Sequence, residues 1–150
     1  MAADGLTLRP GACFVSSDQS FAMIRGGHID VAILGGLQVS ENGDLANWFV
    51  PERGGGSVGG AMDLASGARR LIVLMEHATK SGEPKLLRRC TYPLTGVHCV
   101  DLVITDLAVI AITEKGFELR ELAPGVTAEQ VQALTEAPLA LSPDVREMEL

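Results

Sequence analysis

Ala12-Cys13-Phe14-Val15-Ser16-Ser17-Asp18-Gln19-Ser20-Phe21-Ala22-Met23-Ile24-Arg25-Gly26-Gly27-His28-Ile29-Asp30-Val31-Ala32-Ile33-Leu34-Gly35-Gly36 is the stretch that decides the fold. The apolar run Ala12–Ser16 reads as a strand. Ser16-Ser17-Asp18 then supplies N-cap chemistry for a helix to about Arg25, closed by Gly26-Gly27. Ile29–Leu34 is a second apolar strand, ended by Gly35-Gly36. Strand, helix and strand in this order give a β-α-β unit, which implies a parallel pair with a right-handed crossover.

Working outward, Leu37–Ser40 reads as a short strand, Asn42-Gly43 as a turn, and Asn47–Val50 as a further strand. A glycine-rich loop, Gly54–Gly60, leads into a helix from Ala61 to about Gly67. Arg70–Met75 is apolar on both faces, so it is expected to be a central strand. Thr79–Pro84 is a polar loop. Cys99–Thr113 divides into two strands, the second forming a hairpin with Phe117–Leu122 through Glu114-Lys115-Gly116. Thr127 and Gln130 make a capping box for a helix to about Glu136, and the tail beyond Pro138 is expected to dock loosely. The expected architecture is one α/β domain whose mixed sheet is parallel at first and antiparallel towards the C-terminus.

Composition narrows the function classes. A chain of 150 residues with 47% hydrophobic and 21% charged residues suits a single globular domain with a substantial core. No apolar run approaches the roughly 18 residues of a membrane span. Met-Ala-Ala-Asp-Gly lacks signal-peptide character, so a cytoplasmic location is expected. The net charge of −7 argues against non-specific nucleic-acid binding. Cys13, Cys90 and Cys99 include no C-x-x-C, and His28, His77 and His98 are widely spaced. Neither a disulfide framework nor a metal site is expected.

Several residues could carry chemistry. The Gly54–Gly60 loop before a helix start offers backbone N–H groups and a positive dipole end to an anion or oxyanion. Gly54, Gly56 and Gly59 also spell G-x-G-x-x-G. However, Pro51-Glu52-Arg53 separates the loop from a preceding strand, and the following helix is barely two turns, which argues against a dinucleotide site. Asn47 offers an amide donor to a carboxylate or makes a turn hydrogen bond. Glu76 and His77 end the central strand, at the edge where open α/β sheets bind ligands, and His77 suits a structural hydrogen bond. Trp48 reads as core or subunit interface, and Arg25 as a cation at a helix C-terminus.

Ser20–Asp30, Gly43–Trp48, Gly59–Leu64, Met75-Glu76-His77, Cys90–Gly96 and Ile104-Thr105-Asp106 resemble the beta subunit of 3-oxoacid CoA-transferases, in order from Pro10 to about Pro138. The resemblance implies an open three-layer α/β/α fold, truncated at its N-terminal side. It also implies transfer of CoA between a short acyl-CoA such as succinyl-CoA and a 3-oxoacid or other carboxylic acid, in ketone-body or 3-oxoadipate metabolism. In that family a glutamate of a Ser-Glu-Asn-Gly motif attacks the thioester, giving a mixed anhydride and then a glutamyl-CoA thioester. No metal and no permanently bound cofactor are implied, the CoA thioester being substrate. The implied partner is an alpha subunit, with further oligomerisation of the pairs. Carried onto this chain, the backbone N–H groups of Gly60 and Ala61 face the thioester carbonyl, and Asn47, Arg53, Gly59 and Glu76 bind substrate or CoA. Gly56 and Ser57 depart from the family's Lys-Gly-Met-Gly-Gly, removing a lysine that Arg53 would partly replace.

Ser40-Glu41-Asn42-Gly43 spells the nucleophile motif but lies downstream of the region matching Pro10–Asp30, whereas the family motif lies upstream of it. By register Glu41 is a turn residue. The chain is then expected to correspond to the C-terminal two-thirds of such a domain, without its nucleophile. A non-catalytic truncated paralogue or interaction subunit is the alternative reading. Apolar faces of Ile29–Leu34 and Leu71–Met75 are expected to be left for association.

Overall fold

Runs of valine, isoleucine and leucine form the strands, and glycines and prolines end them. In the computed structural model, which describes residues 7–149, the elements in chain order are α1 (Ser17–Arg25), β1 (Val31–Gly35), β2 (Gln38–Ser40), β3 (Leu45–Ala46) and β4 (Phe49–Val50). A single 3-10 turn (Pro51–Arg53) follows, then β5 (Gly55–Gly56), α2 (Ala61–Gly67), β6 (Arg70–Leu74) and β7 (Leu86–Leu87). The chain ends with β8 (Leu102–Ile104), β9 (Ala108–Thr113), β10 (Gly116–Leu122), α3 (Ala128–Ala133) and β11 (Leu139–Glu147).

The main sheet has six strands in the order β1-β6-β8-β9-β10-β11. Three of its five pairings are parallel: β1 with β6, β6 with β8, and β10 with β11. The pairings of β9 with β8 and β10 are antiparallel. β6 is an interior strand, paired with β1 and β8 but next to the edge, and only its Leu71 and Val73 face enters the core. A small second sheet, β3-β2-β7, packs beside it, and β4 pairs with β5 in a hairpin.

Alternation sorts the side chains. Ala32, Leu71, Val73, Val103, Ile110 and Leu119 are buried in one core, which Val39, Leu45 and Leu86 of the second sheet, Ala65 of α2 and Val131 of α3 complete. The alternate residues, Val31, Ile33, Ile72, Leu74, Leu102 and Ile104, point the other way and none joins that core. Val31, Ile33 and Leu74 are 47%, 59% and 46% exposed. The sheet with its helices is an α/β fold.

Two expectations are corrected. Ala12–Ser16 is not a strand: the segment is exposed, with Phe14 71% accessible. The β-α-β unit is instead β1-α2-β6, because β1 takes its parallel partner from Arg70–Leu74. The tail does not dock loosely either. Leu139–Glu147 pairs with β10, and Leu119 and Leu141 share a register position. Short charged or proline-containing segments hide such a strand, because Pro143 and the alternating charges belong on an edge.

α1 and α2 touch at a glycine. A Cβ on Gly67 would stand 2.5 Å from the Ile24 carbonyl oxygen. Arg25 does not act alone as a terminal cation: its Nε donates to Asp63 Oδ1 at 2.7 Å, tying α1 to α2. Thr127 and Gln130 do form the capping box of α3.

Candidate functional site

The carboxyl ends of β1 and β6 come together because Gly36 lets the chain turn across β6. A Cβ there would approach Val73 Cγ1 to 2.6 Å and Met75 Sδ to 2.8 Å. Asn47 lies at this corner. Its backbone N–H donates to Thr95 Oγ1 (3.1 Å), Thr95 O–H donates to Asn47 Oδ1 (2.6 Å), and Asn47 Nδ2 donates to the Gly35 carbonyl (3.1 Å). Thr95 is 7% exposed. The neighbouring Trp48 is half-buried, and its indole N–H donates to the Leu94 carbonyl at 3.3 Å.

Glu76 follows β6 and lines a cleft of about 530 Å³ with Gln38, Val50, Glu52, Lys80 and Tyr92 among others. Gln38, which is buried, shapes this wall. Its Oε1 accepts from the backbone N–H groups of Thr91 (2.8 Å) and Tyr92 (3.0 Å), and its Nε2 donates to Thr91 Oγ1 (2.8 Å). The cleft is not lined by Asn47, Gly59, Gly60 or Ala61.

Gly59 has φ +52°, which favours glycine, and leads into α2. Gly60 is the N-cap of α2, and a Cβ there would meet the Phe21 ring at 2.5 Å. The glycine at this position therefore has a packing reason of its own. The first-turn amides of α2 have no intrahelical acceptor. The Arg53 side chain lies outside the described residues, although its backbone forms the turn before β5. Gly56 must be glycine because a Cβ would overlap the Trp48 carbonyl, which seats the loop against the Asn47-Trp48 corner.

His77 is 1% exposed and bridges three elements. Its Nδ1 is 3.0 Å from Thr105 Oγ1 and its Nε2 is 2.9 Å from Thr135 Oγ1. Thr135 O–H donates to the Val131 carbonyl (2.8 Å) and Thr105 O–H to the Ala108 carbonyl (3.2 Å), so each hydroxyl ties a ring nitrogen to a backbone carbonyl. Burial lowers the His77 pKa, against the opposing pull of the Asp106 carboxylate, and keeps the ring neutral. Asp106 Oδ1 also accepts the His77 backbone N–H at 2.8 Å.

Glu41 is placed elsewhere. Its backbone N–H donates to the Leu87 carbonyl, and its carboxylate lies beside Gly116 at the β9–β10 turn. β2 separates it from the Asn47 corner by about 10 Å of extended chain. Burial pushes the thiols of Cys90 and Cys99 up to about 12 and about 11, so neither is a nucleophile at neutral pH. Among the described residues no three His, Cys, Asp or Glu side chains gather as a metal set, and no helix is long and apolar enough to cross a membrane.

Fold and corner together define an α/β domain that presents an oriented amide, a glycine loop and a polar cleft at the carboxyl ends of parallel strands. The Coenzyme A transferase family description matches residues 2–134. The chain is 54% identical over 132 residues to the beta subunit of a succinyl-CoA:3-ketoacid coenzyme A transferase of Helicobacter pylori, covering 88% of this chain and 64% of that one. It is 49% identical over 135 residues to the beta subunit of the 3-oxoadipate CoA-transferase of Pseudomonas putida, covering 89% and 63%. Among solved structures, an acyl-CoA transferase of Escherichia coli superposes with a TM-score of 0.79 at 21% identity, covering 90% of this chain and 30% of that one. The chain thus spans less than two-thirds of the length of these relatives. It belongs to the coenzyme A transferase family.

Thr95, Gln38, Thr105 and Thr135 were not singled out by sequence reasoning. Thr95 and Thr105 carried a signal, as parts of Cys90–Gly96 and Ile104-Thr105-Asp106.

Proposed function

We propose that the chain forms the beta-subunit part of a CoA-transferase that moves CoA between a short acyl-CoA, such as succinyl-CoA, and a 3-oxoacid or related carboxylate. The observation that supports this most is the family match over residues 2–134, which contains Asn47, Gly59, Gly60, Ala61 and Glu76. Asn47 donates to a carbonyl or carboxylate oxygen of the substrate. Backbone N–H groups of Gly60 and Ala61 meet the oxygen on which charge develops as the thioester is attacked. Glu76 and Arg53 border the route by which CoA lies, with CoA as substrate and no resident cofactor. The attacking glutamate comes from outside residues 1–150, and the enzyme is completed by its alpha subunit.

The test supplies what the chain lacks. The chain is joined to the Ser-Glu-Asn-Gly segment of one of these relatives and co-expressed with that relative's alpha subunit. CoA exchange between succinyl-CoA and acetoacetate is then measured. Exchange that falls on Asn47→Ala is expected. A folded complex that exchanges nothing with any 3-oxoacid overturns the reading.

A further inference from the structure

We propose that Thr95 is a positioning residue for Asn47, holding its carboxamide so that one N–H faces the open end of β1 and receives a carbonyl oxygen of a CoA thioester. This rests on the CoA-transferase reading above. The geometry fixes the amide from both sides. Thr95 Oγ1 accepts the Asn47 backbone N–H and donates its own proton to Oδ1. The opposite orientation would turn Oδ1 towards the Gly35 carbonyl, acceptor against acceptor, whereas the observed one lets Nδ2 donate there. One Nδ2–H is thereby used, and the other has no partner among the described residues. It emerges beside Gly35, which is exposed and would have nothing within 4 Å of an added Cβ.

Thr95 is itself held rigidly. Its backbone N–H donates to the Leu45 carbonyl at 2.6 Å, and Leu94 is pinned by the Trp48 indole. A buried threonine on a fixed strand-like segment thus sets the direction of a half-buried amide. Trp48 is the only tryptophan in the chain, and its place next to Asn47 makes its fluorescence a reporter of this corner.

The experiment titrates succinyl-CoA, which carries the thioester carbonyl, into the full chain, following Trp48 emission, with a thermal melt confirming that each variant is folded. Losing the positioning hydrogen bond in Thr95→Val should weaken binding about 3–10-fold, and Thr95→Ser, which keeps the hydroxyl, should stay within about twofold. Thr95→Ala, which adds no bulk, is read beside the valine variant. In an Asn47→Ala background, Thr95→Val should change the Kd no further, because the threonine acts only through the amide. If wild type binds and Thr95→Val and Thr95→Ala bind equally well, or if the effects of Thr95→Val and Asn47→Ala multiply, the positioning role is wrong and the CoA reading stands. If wild type binds no succinyl-CoA, both fail.

Discussion

Replacing His77 by alanine removes the ring that joins the end of β6 to Thr105 and to Thr135 at the end of α3. Two hydrogen bonds are lost, at about 0.5–1.5 kcal/mol each. Thr135 keeps its bond to the Val131 carbonyl, and Thr105 still accepts from the backbone N–H groups of Leu107 and Ala108, so neither hydroxyl is orphaned. The vacated volume adds a cavity cost, for a total of about 2–4 kcal/mol. At this chain length that lowers the Tm by about 5–15 °C. The pH profile gives an independent reading. Burial holds the His77 pKa below its unfolded value of about 6.5. Below pH 6.5 the unfolded chain binds the proton first, so this contribution is complete above about pH 6.5 and is lost as the pH falls towards the folded pKa. Urea melts of wild type and His77→Ala at pH 7.5 and pH 5.5 should show a steeper loss for wild type. A variant within about 0.5 kcal/mol of wild type, or one with an unchanged pH slope, refutes the linchpin role. Because Glu76 precedes His77 and lines the cleft, a shift in its position should accompany the loss.

Gly60→Ala should lower the Tm through its collision with Phe21, and Phe21→Leu should restore it. Lost turnover persisting in the double variant of the reconstituted enzyme would mark close approach of the substrate to Gly60, whereas recovered turnover would assign Gly60 to packing alone. An aromatic disulfide reagent at pH 8 should titrate Cys13 quickly and Cys90 and Cys99 only on unfolding, since Cys13 is exposed and the other two thiols have raised pKa values. Three thiols reacting at one rate would contradict this. The exposed apolar face of β1 and β6 should drive association of the isolated chain, and Ile33→Lys should reduce it in sedimentation velocity; a monomeric wild type at micromolar concentration argues otherwise.

Much of this fold was written in local patterns. Arg70–Leu74 announced an interior strand because its run is apolar, although one of its faces stays outside the core, and Thr127 with Gln130 announced α3 because a capping box is a local hydrogen-bond pattern. Ala12–Ser16 misled because its apolar composition says nothing about which neighbour is available, and β1 found its parallel partner forty residues on. Leu139–Glu147 was hidden by Pro143 and by charges that only an edge strand tolerates. At the candidate site, Glu41 was separable from the motif it spells by order along the chain, and the structure sets it at the β9–β10 turn. The Asn47–Thr95 clamp was not legible, since it depends on a pairing across 48 residues that no periodicity records.

The central claim is that this chain contributes the thioester-binding side of a CoA-transferase while the nucleophile lies outside its 150 residues. Borohydride reduction after incubation with succinyl-CoA, followed by peptide mass analysis, tests it most directly. The account predicts no modified residue on the isolated chain, and a reduced glutamate in the supplied Ser-Glu-Asn-Gly segment when the chain carries it and is paired with an alpha subunit. A reduced residue at Glu41, abolished by Glu41→Gln, would contradict it.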